Sequence, residues 1–243
     1  MKKTIGILGG MGPEATGFFF EAIIRQTRAS GDQGHARVLI WNDPAIPART
    51  EAILENGPSP LPALLAGVRI LERGGAGLIA MPCITAHYWA PQIKSKARVP
   101  FVDLIEETVG QAKKAVPGLE RAGLIATTGT IRSGIFHRAF ARKSIELLVP
   151  NDRDQTRIMD AIYGDDGIKA GVKSARARNA VFRIARRLVE RGAQAIIAGC
   201  TEIPLVLRAE DLTVPLLEPM TIGAAACLKK AGYPPARKPR IGS

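Results

Sequence analysis

Three cysteines, Cys83, Cys200 and Cys227, carry the first chemical signal in this sequence. An odd number of thiols, far apart, makes no disulfide framework and points to a reducing compartment, the cytoplasm. Cys83 stands in Met81-Pro82-Cys83-Ile84-Thr85-Ala86-His87, behind an apolar run that reads as a strand. A helix starting at Cys83 would lower its thiol pKa from about 8.5 through the helix dipole. His87, four residues on, would share that helix face and act in the same direction. Cys200 stands in a second such element, Ala198-Gly199-Cys200-Thr201-Glu202-Ile203-Pro204, where Glu202 can tune or hydrogen-bond the site. Burial as an inert thiol is the commonest fate of free cysteine. Cys227, within Ala224-Ala225-Ala226-Cys227-Leu228, reads that way. A metal site needs ligands more clustered than Cys83 and His87, with His35 and His137 scattered elsewhere, so none is expected.

Cys83 and Cys200 share a setting. Gly6-Ile7-Leu8 and Gly123-Leu124-Ile125 look like buried strands, and from Gly6 to Cys83 and from Gly123 to Cys200 are 77 positions each. The approaches match, with Gly75-Ala76 falling on Gly192-Ala193. Beyond the cysteines, Val99-Pro100-Phe101-Val102-Asp103 resembles Val214-Pro215-Leu216-Leu217-Glu218. Four landmarks in one order mark an internal duplication, with too few copies for a solenoid. Each copy predicts a strand (4–8; 121–126), a long helix, a second strand (38–41; 145–149) and another helix (about 60–73; about 175–191). A third strand (77–81; 194–198) runs into the cysteine, and the Val-Pro strand follows. Short apolar runs alternating with helical periodicity mean parallel sheets with right-handed crossovers. The expected fold is α/β: two similar lobes, each a four-stranded parallel sheet flanked by helices, related by a pseudo-twofold axis. The lobes are drawn as residues 1–98 plus 213–243 and residues 99–212. Ligands in such sheets bind beyond the carboxyl ends of the strands. The cleft between lobes would therefore bring Cys83 and Cys200 together.

The chain of 243 residues is 46% apolar and 23% charged, enough for real cores beneath a hydrated surface. No apolar run approaches the roughly 20 residues of a membrane span. The apolar stretch after Lys2 and Lys3 ends at Leu8, too short for an export signal. The net charge of +12 gathers between Lys173 and Arg191 and in Lys229, Lys230, Arg237, Lys238 and Arg240. With aromatics at 5% and none interleaved among the basic residues, this reads as a solvated face and not a specific nucleic-acid site. The loop Leu8-Gly9-Gly10-Met11-Gly12-Pro13-Glu14-Ala15-Thr16 lacks the third glycine of a dinucleotide fingerprint. It reads as a tight strand-to-helix turn, or as a helix start whose free N–H groups receive a carboxylate.

Across essentially its whole length the sequence resembles the aspartate/glutamate racemase superfamily, in its aspartate-racemase-like branch. The resemblance rests on the Gly-Gly-Met-Gly-Pro loop, Pro47-Ala48-Arg49-Thr50, both cysteine elements and Ala126-Thr127-Thr128-Gly129-Thr130. The Asp-Ser-Gly-type first loop of glutamate racemases is absent. The resemblance implies racemisation of an acidic amino acid by a homodimer without pyridoxal phosphate or metal. One cysteine removes the α-proton as thiolate and the other delivers a proton to the opposite face. Arg49 and Lys169 match the residues that hold the distal carboxylate, and Met11, Ile84, Thr85, Thr128 and Thr201 would complete the substrate site. His87 and Glu202 would support the thiols. One position departs: Ile84 stands where the family has asparagine. Losing such a hydrogen bond to a charged group costs about 1.5–3 kcal/mol, tenfold or more in rate. Two rivals remain. One is a relative acting on another carboxylate, such as a maleate isomerase. The other is a non-catalytic carboxylate- or nucleic-acid-binding protein on the same fold.

Overall fold

The computed structural model describes residues 2–172 and 174–233, so Lys173, Arg237, Lys238 and Arg240 lie outside the described residues. Two four-stranded sheets organise the chain, and every strand pairing is parallel. The first consists of β1 (Ile5–Gly9), β2 (Val38–Asn42), β3 (Leu78–Ala80) and β4 (Phe101–Val102), in the order β2-β1-β3-β4. The second repeats it with β5 (Arg121–Ile125), β6 (Glu146–Leu148), β7 (Ile196–Ala198) and β8 (Leu216–Leu217), in the order β6-β5-β7-β8.

The duplication holds residue by residue. Gly6 lies opposite Ile79 in the first sheet and Gly123 opposite Ile196 in the second. Both pairs are related by the 117 positions that separate Cys83 from Cys200. Side chains alternate across a strand with period two, and the two sheets alternate in phase. Ile5, Ile7, Leu78 and Ala80, with Ala122, Leu124, Ala195 and Ile197, face one core shared by both lobes. Leu8, Ile79 and Met81 face an outer core of the first lobe; Ile125, Ile196 and Ala198 face that of the second. Gly75 and Gly192, at φ +89° and +95°, turn the chain from a helix into β3 and β7 through a region that side chains disfavour.

Ten α-helices are described: α1 (Pro13–Gln26), α2 (Arg49–Leu54), α3 (Leu61–Arg73), α4 (Ala90–Lys96), α5 (Leu104–Ala115), α6 (Thr128–Ser133), α7 (Ile135–Ala141), α8 (Asp152–Tyr163), α9 (Ala175–Glu190) and α10 (Pro219–Lys230). Helix α3 covers the outer face of the first sheet, and α8 and α9 that of the second. Between the sheets, the lobes exchange helices. Helix α5 follows a strand of the first sheet but packs on α7, whereas α10 follows a strand of the second but packs on α1. The sheets accordingly divide the chain differently from 1–98 plus 213–243 and 99–212. Strand β4 pairs with β3 in the first sheet, and β8 with β7 in the second. The reason is physical: backbone hydrogen bonds keep each strand in its own sheet, while the apolar face of the next helix crosses to the other lobe. A second correction concerns the long helix expected after β5. It is broken into α6 and α7 at Gly134, whose φ of +67° ends the first piece.

Candidate active site

Cys83 follows β3 and Cys200 follows β7, each beyond the carboxyl end of a central strand. Both thiols line one small cavity between the lobes. Met11, Arg49, Cys83, Ile84 and Thr85 contribute from the first lobe, and Thr127, Tyr163, Lys169, Cys200, Thr201 and Glu202 from the second. Two more open grooves, along α8–α9 and against α3, contain no thiol. Among the described residues no group of three or more His, Cys, Asp or Glu could hold a metal ion, and no helix is long and apolar enough to cross a membrane.

On the Cys200 side a carboxylate organises the polar groups. Glu202 Oε2 accepts hydrogen bonds from the Cys200 thiol at 2.9 Å and the Thr201 hydroxyl at 2.8 Å, and Oε1 receives the Lys169 ammonium at 2.7 Å. Burial alone would raise the Glu202 pKa, but Lys169 and these hydrogen bonds outweigh it and hold the carboxyl below its ordinary value. Burial and the adjacent Glu202 charge push the Cys200 thiol well above its ordinary value, with Lys169 opposing them, so Cys200 keeps its proton. Burial opposes the charged form of Lys169, but Glu202 dominates and raises its pKa, so it stays cationic. Tyr163, at the end of α8, sits beneath Lys169, with the ammonium 5.6 Å from its ring centroid. Burial and the neighbouring Cys200 push its phenol up to about 12, so it is neutral.

The Cys83 side is held differently from the sequence expectation. No α-helix begins at Cys83; residues Thr85–Trp89 form a 3₁₀ turn that leads into α4. His87 carries no charge to the thiol. Its Nδ1 is 2.9 Å from the Cys83 carbonyl oxygen and its Nε2 accepts the Leu104 N–H at 3.2 Å. Burial lowers the His87 pKa, with Asp103 only partly opposing it. Thr85 Oγ1 lies 3.1 Å from Thr127 Oγ1 and 2.8 Å from Thr130 Oγ1, a hydroxyl cluster that joins the lobes. Thr128 does not line the cavity: it is the acceptor for the Gln155 amide at 3.1 Å. Thr127, the N-cap of α6, takes that place. Ile84, 2% exposed, belongs to the shared core and also lines the cavity.

Arg49 begins α2, and its guanidinium donates to the carbonyls of Ile46 (3.1 Å), Pro47 (2.9 Å) and Met11 (3.4 Å). These bonds fix the fork, and two of its five N–H groups remain for a ligand. The glycine loop is fastened from α1, because Thr16 Oγ1 accepts the Gly10 N–H at 2.9 Å and donates to the Gly12 carbonyl at 3.0 Å. A Cβ on Gly12 would stand 3.7 Å from Lys169 Nζ, so the loop and Lys169 meet across the lobes. Two cations and one carboxylate give the cavity wall an excess positive charge, suited to an anionic ligand. Sequence reasoning passed over Thr127 and Tyr163. Both lie beside residues it did single out, Thr128 and the loop bearing Lys169.

The family model for Asp/Glu/hydantoin racemases matches residues 8–227. The chain is 27% identical over 238 residues to the broad specificity amino-acid racemase RacX of Bacillus subtilis (strain 168), covering 93% of this chain and 95% of that one. Its structure matches Picrophilus torridus aspartate racemase with a TM-score of 0.86 and 32% identity over 98% of each chain. Glutamate racemase from Francisella tularensis shares the fold at a TM-score of 0.69 and 18% identity, covering 95% of this chain and 82% of that one. A match that runs from the first strand into the last helix shows that the chain belongs to the Asp/Glu/hydantoin racemase family and is an isomerase.

Proposed function

We propose that this enzyme racemises an acidic amino acid, aspartate or glutamate, by two-base proton transfer at Cα without a cofactor. The observation that carries the reading is a single cavity lined by one thiol from each lobe and by Arg49 and Lys169. Cys83, as thiolate, takes the α-proton: its S–H bond forms as the Cα–H bond breaks. The electron pair left on Cα delocalises into the α-carboxylate. Cys200, which holds its proton against Glu202, delivers it to the opposite face. Turnover leaves the protonation of the two thiols reversed, ready for the opposite enantiomer or for exchange with solvent. Thiols suit both roles because their pKa lies near working pH and responds to surroundings. Arg49 and Lys169 supply the positive charge that a distal carboxylate and an anionic transition state need. A homodimer and a cytoplasmic location belong to the same reading; three free thiols fit a reducing compartment.

Ile84 favours a second reading of the substrate. With Met11 it gives the cavity an apolar wall, which suits an amino acid bearing an apolar group, and the relative RacX is named for broad specificity. Polarimetry across the amino acids distinguishes the two. Cys83→Ala and Cys200→Ala should each abolish turnover of whichever substrate is found, while Cys227→Ala, buried in the shared core, should not. Near-normal racemisation by either of the first two variants would overturn the two-base reading.

A further inference from the structure

We propose that His87 is the positioning residue of the Cys83 side, a neutral imidazole that ties the Cys83 backbone to the first residue of α5. The inference rests on the reading that Cys83 is a reacting group. The two hydrogen bonds define the tautomer. Leu104 N–H can only donate, so the Nε2 it meets at 3.2 Å bears no proton. The ring proton is therefore on Nδ1 and is donated to the Cys83 carbonyl at 2.9 Å. The ring is 3% exposed and lies against Phe101, with centroids 5.7 Å apart, so it has no room to turn. Its other anchor is also held. Asp103 Oδ1 caps α5 by accepting from Ile105 and Glu106 N–H, and Oδ2 takes Lys94 at 2.6 Å. A fixed α5 start thus holds the imidazole, and the imidazole holds the strand end that carries the thiol.

The arrangement carries a proton sensitivity. The charged groups acting on the ring are Asp103, which favours its protonation, and Lys94, which opposes it; Cys83 contributes its carbonyl. A second proton would sit on Nε2 and point at the Leu104 N–H, converting an acceptor into a donor facing a donor. The α5 tie would break and the Cys83 turn would lose its support. Burial delays this to pH values below the ordinary 6.5.

Two substitutions separate the two bonds. The Asn side chain places its amide nitrogen near the position of His Nδ1 and keeps the bond to Cys83. The Gln side chain reaches the position of Nε2 and keeps only the bond to Leu104. The full chain carrying His87→Asn or His87→Gln is assayed for kcat and KM. Thiol labelling by a small neutral disulfide is read by mass spectrometry at Cys83 and Cys200 separately. Each variant keeps one bond and breaks the tie, so for both H87N and H87Q kcat should fall tenfold or more with a smaller change in KM, which is at least about 1.4 kcal/mol. Cys83 labelling should change while Cys200 labelling is unaltered. Wild-type kcat and Cys83 labelling in either variant, or parallel changes at both thiols, would overturn the proposal. The unsubstituted enzyme gives a second test without any variant. The ratio of Cys83 to Cys200 labelling should change as pH falls from about 7 to 4, across and below the ordinary histidine range. A flat ratio would contradict the proposal whether or not either variant folds. Because labelling needs no turnover, these results stand apart from any failure of the racemase reading itself.

Discussion

Glu202→Gln should make Cys200 more reactive while making the enzyme slower. Glu202 takes three hydrogen bonds: from Cys200 and Thr201 on one oxygen and from Lys169 on the other. Glutamine keeps the shape and removes the charge, and its amide nitrogen must confront either Lys169 or the thiol and hydroxyl. The thiol loses both the hydrogen bond and the charge that keep its proton in place, while Lys169, now without a counter-charge, favours the thiolate. A hydrogen bond to a charged group is worth about 1.5–3 kcal/mol. That corresponds to a thiolate population about 10- to 100-fold larger at any pH below the thiol pKa. Nucleophilicity falls with basicity by a Brønsted slope of about 0.4–0.5, which takes back about 3- to 8-fold. Labelling of Cys200 by a small disulfide should therefore accelerate about 3- to 12-fold. Racemisation should fall tenfold or more, because Lys169 loses its anchor and the thiol its orientation. Mass spectrometry assigns the label, and continued protection of buried Cys227 shows that the fold is intact. Cys200 labelling at the wild-type rate or slower, with Cys227 protected, would refute the assignment of Glu202 as the group that keeps the proton on Cys200.

Arg49→Ala should weaken turnover of acidic substrates more than of neutral ones, and Arg49→Lys should also be impaired because the fork bound to three carbonyls is lost; equal losses on both substrate classes would indicate a structural role. Ile84→Asn puts an amide at a site 2% exposed, so Tm should fall by the equivalent of about 2–4 kcal/mol. Its kcat/KM for aspartate or glutamate should nonetheless rise, and a folded variant with no gain on either would show that Ile84 does not limit the site. The basic surface should bind nucleic acid weakly, without sequence preference, and less as salt rises. Tight binding to one defined sequence at physiological salt would promote the nucleic-acid alternative.

The equal spacing of 77 positions was enough to place both cysteines after the central strands, because a duplicated lobe reproduces its register as well as its composition. Gly6 and Gly123, Ile79 and Ile196, and Cys83 and Cys200 all carry the same offset. The crossing of α5 and α10 left no such trace. A two-residue strand such as β4 or β8 is defined by backbone pairing, and the apolar face of a helix does not say which lobe it covers. Gly134 did carry a signal, since glycine inside a helical pattern marks a possible end, and the broken helix after β5 ends there. At the site, Thr127 replaces Thr128 because successive residues at a strand-to-helix turn point in different directions, a detail below the reach of motif matching. His87 is the plainest case of context overriding type. Histidine four residues from a thiol suggested charge, but burial and two backbone partners make it neutral.

The most direct test of two bases on opposite faces is racemisation of a single enantiomer in D2O, followed at early times by mass spectrometry of the separated enantiomers. Two thiols on opposite faces predict that each inversion brings solvent deuterium into the product at Cα while the recovered starting enantiomer remains unlabelled. Deuterium entering the recovered starting enantiomer as fast as the product would mean one base serving both faces, and would contradict the shared roles of Cys83 and Cys200.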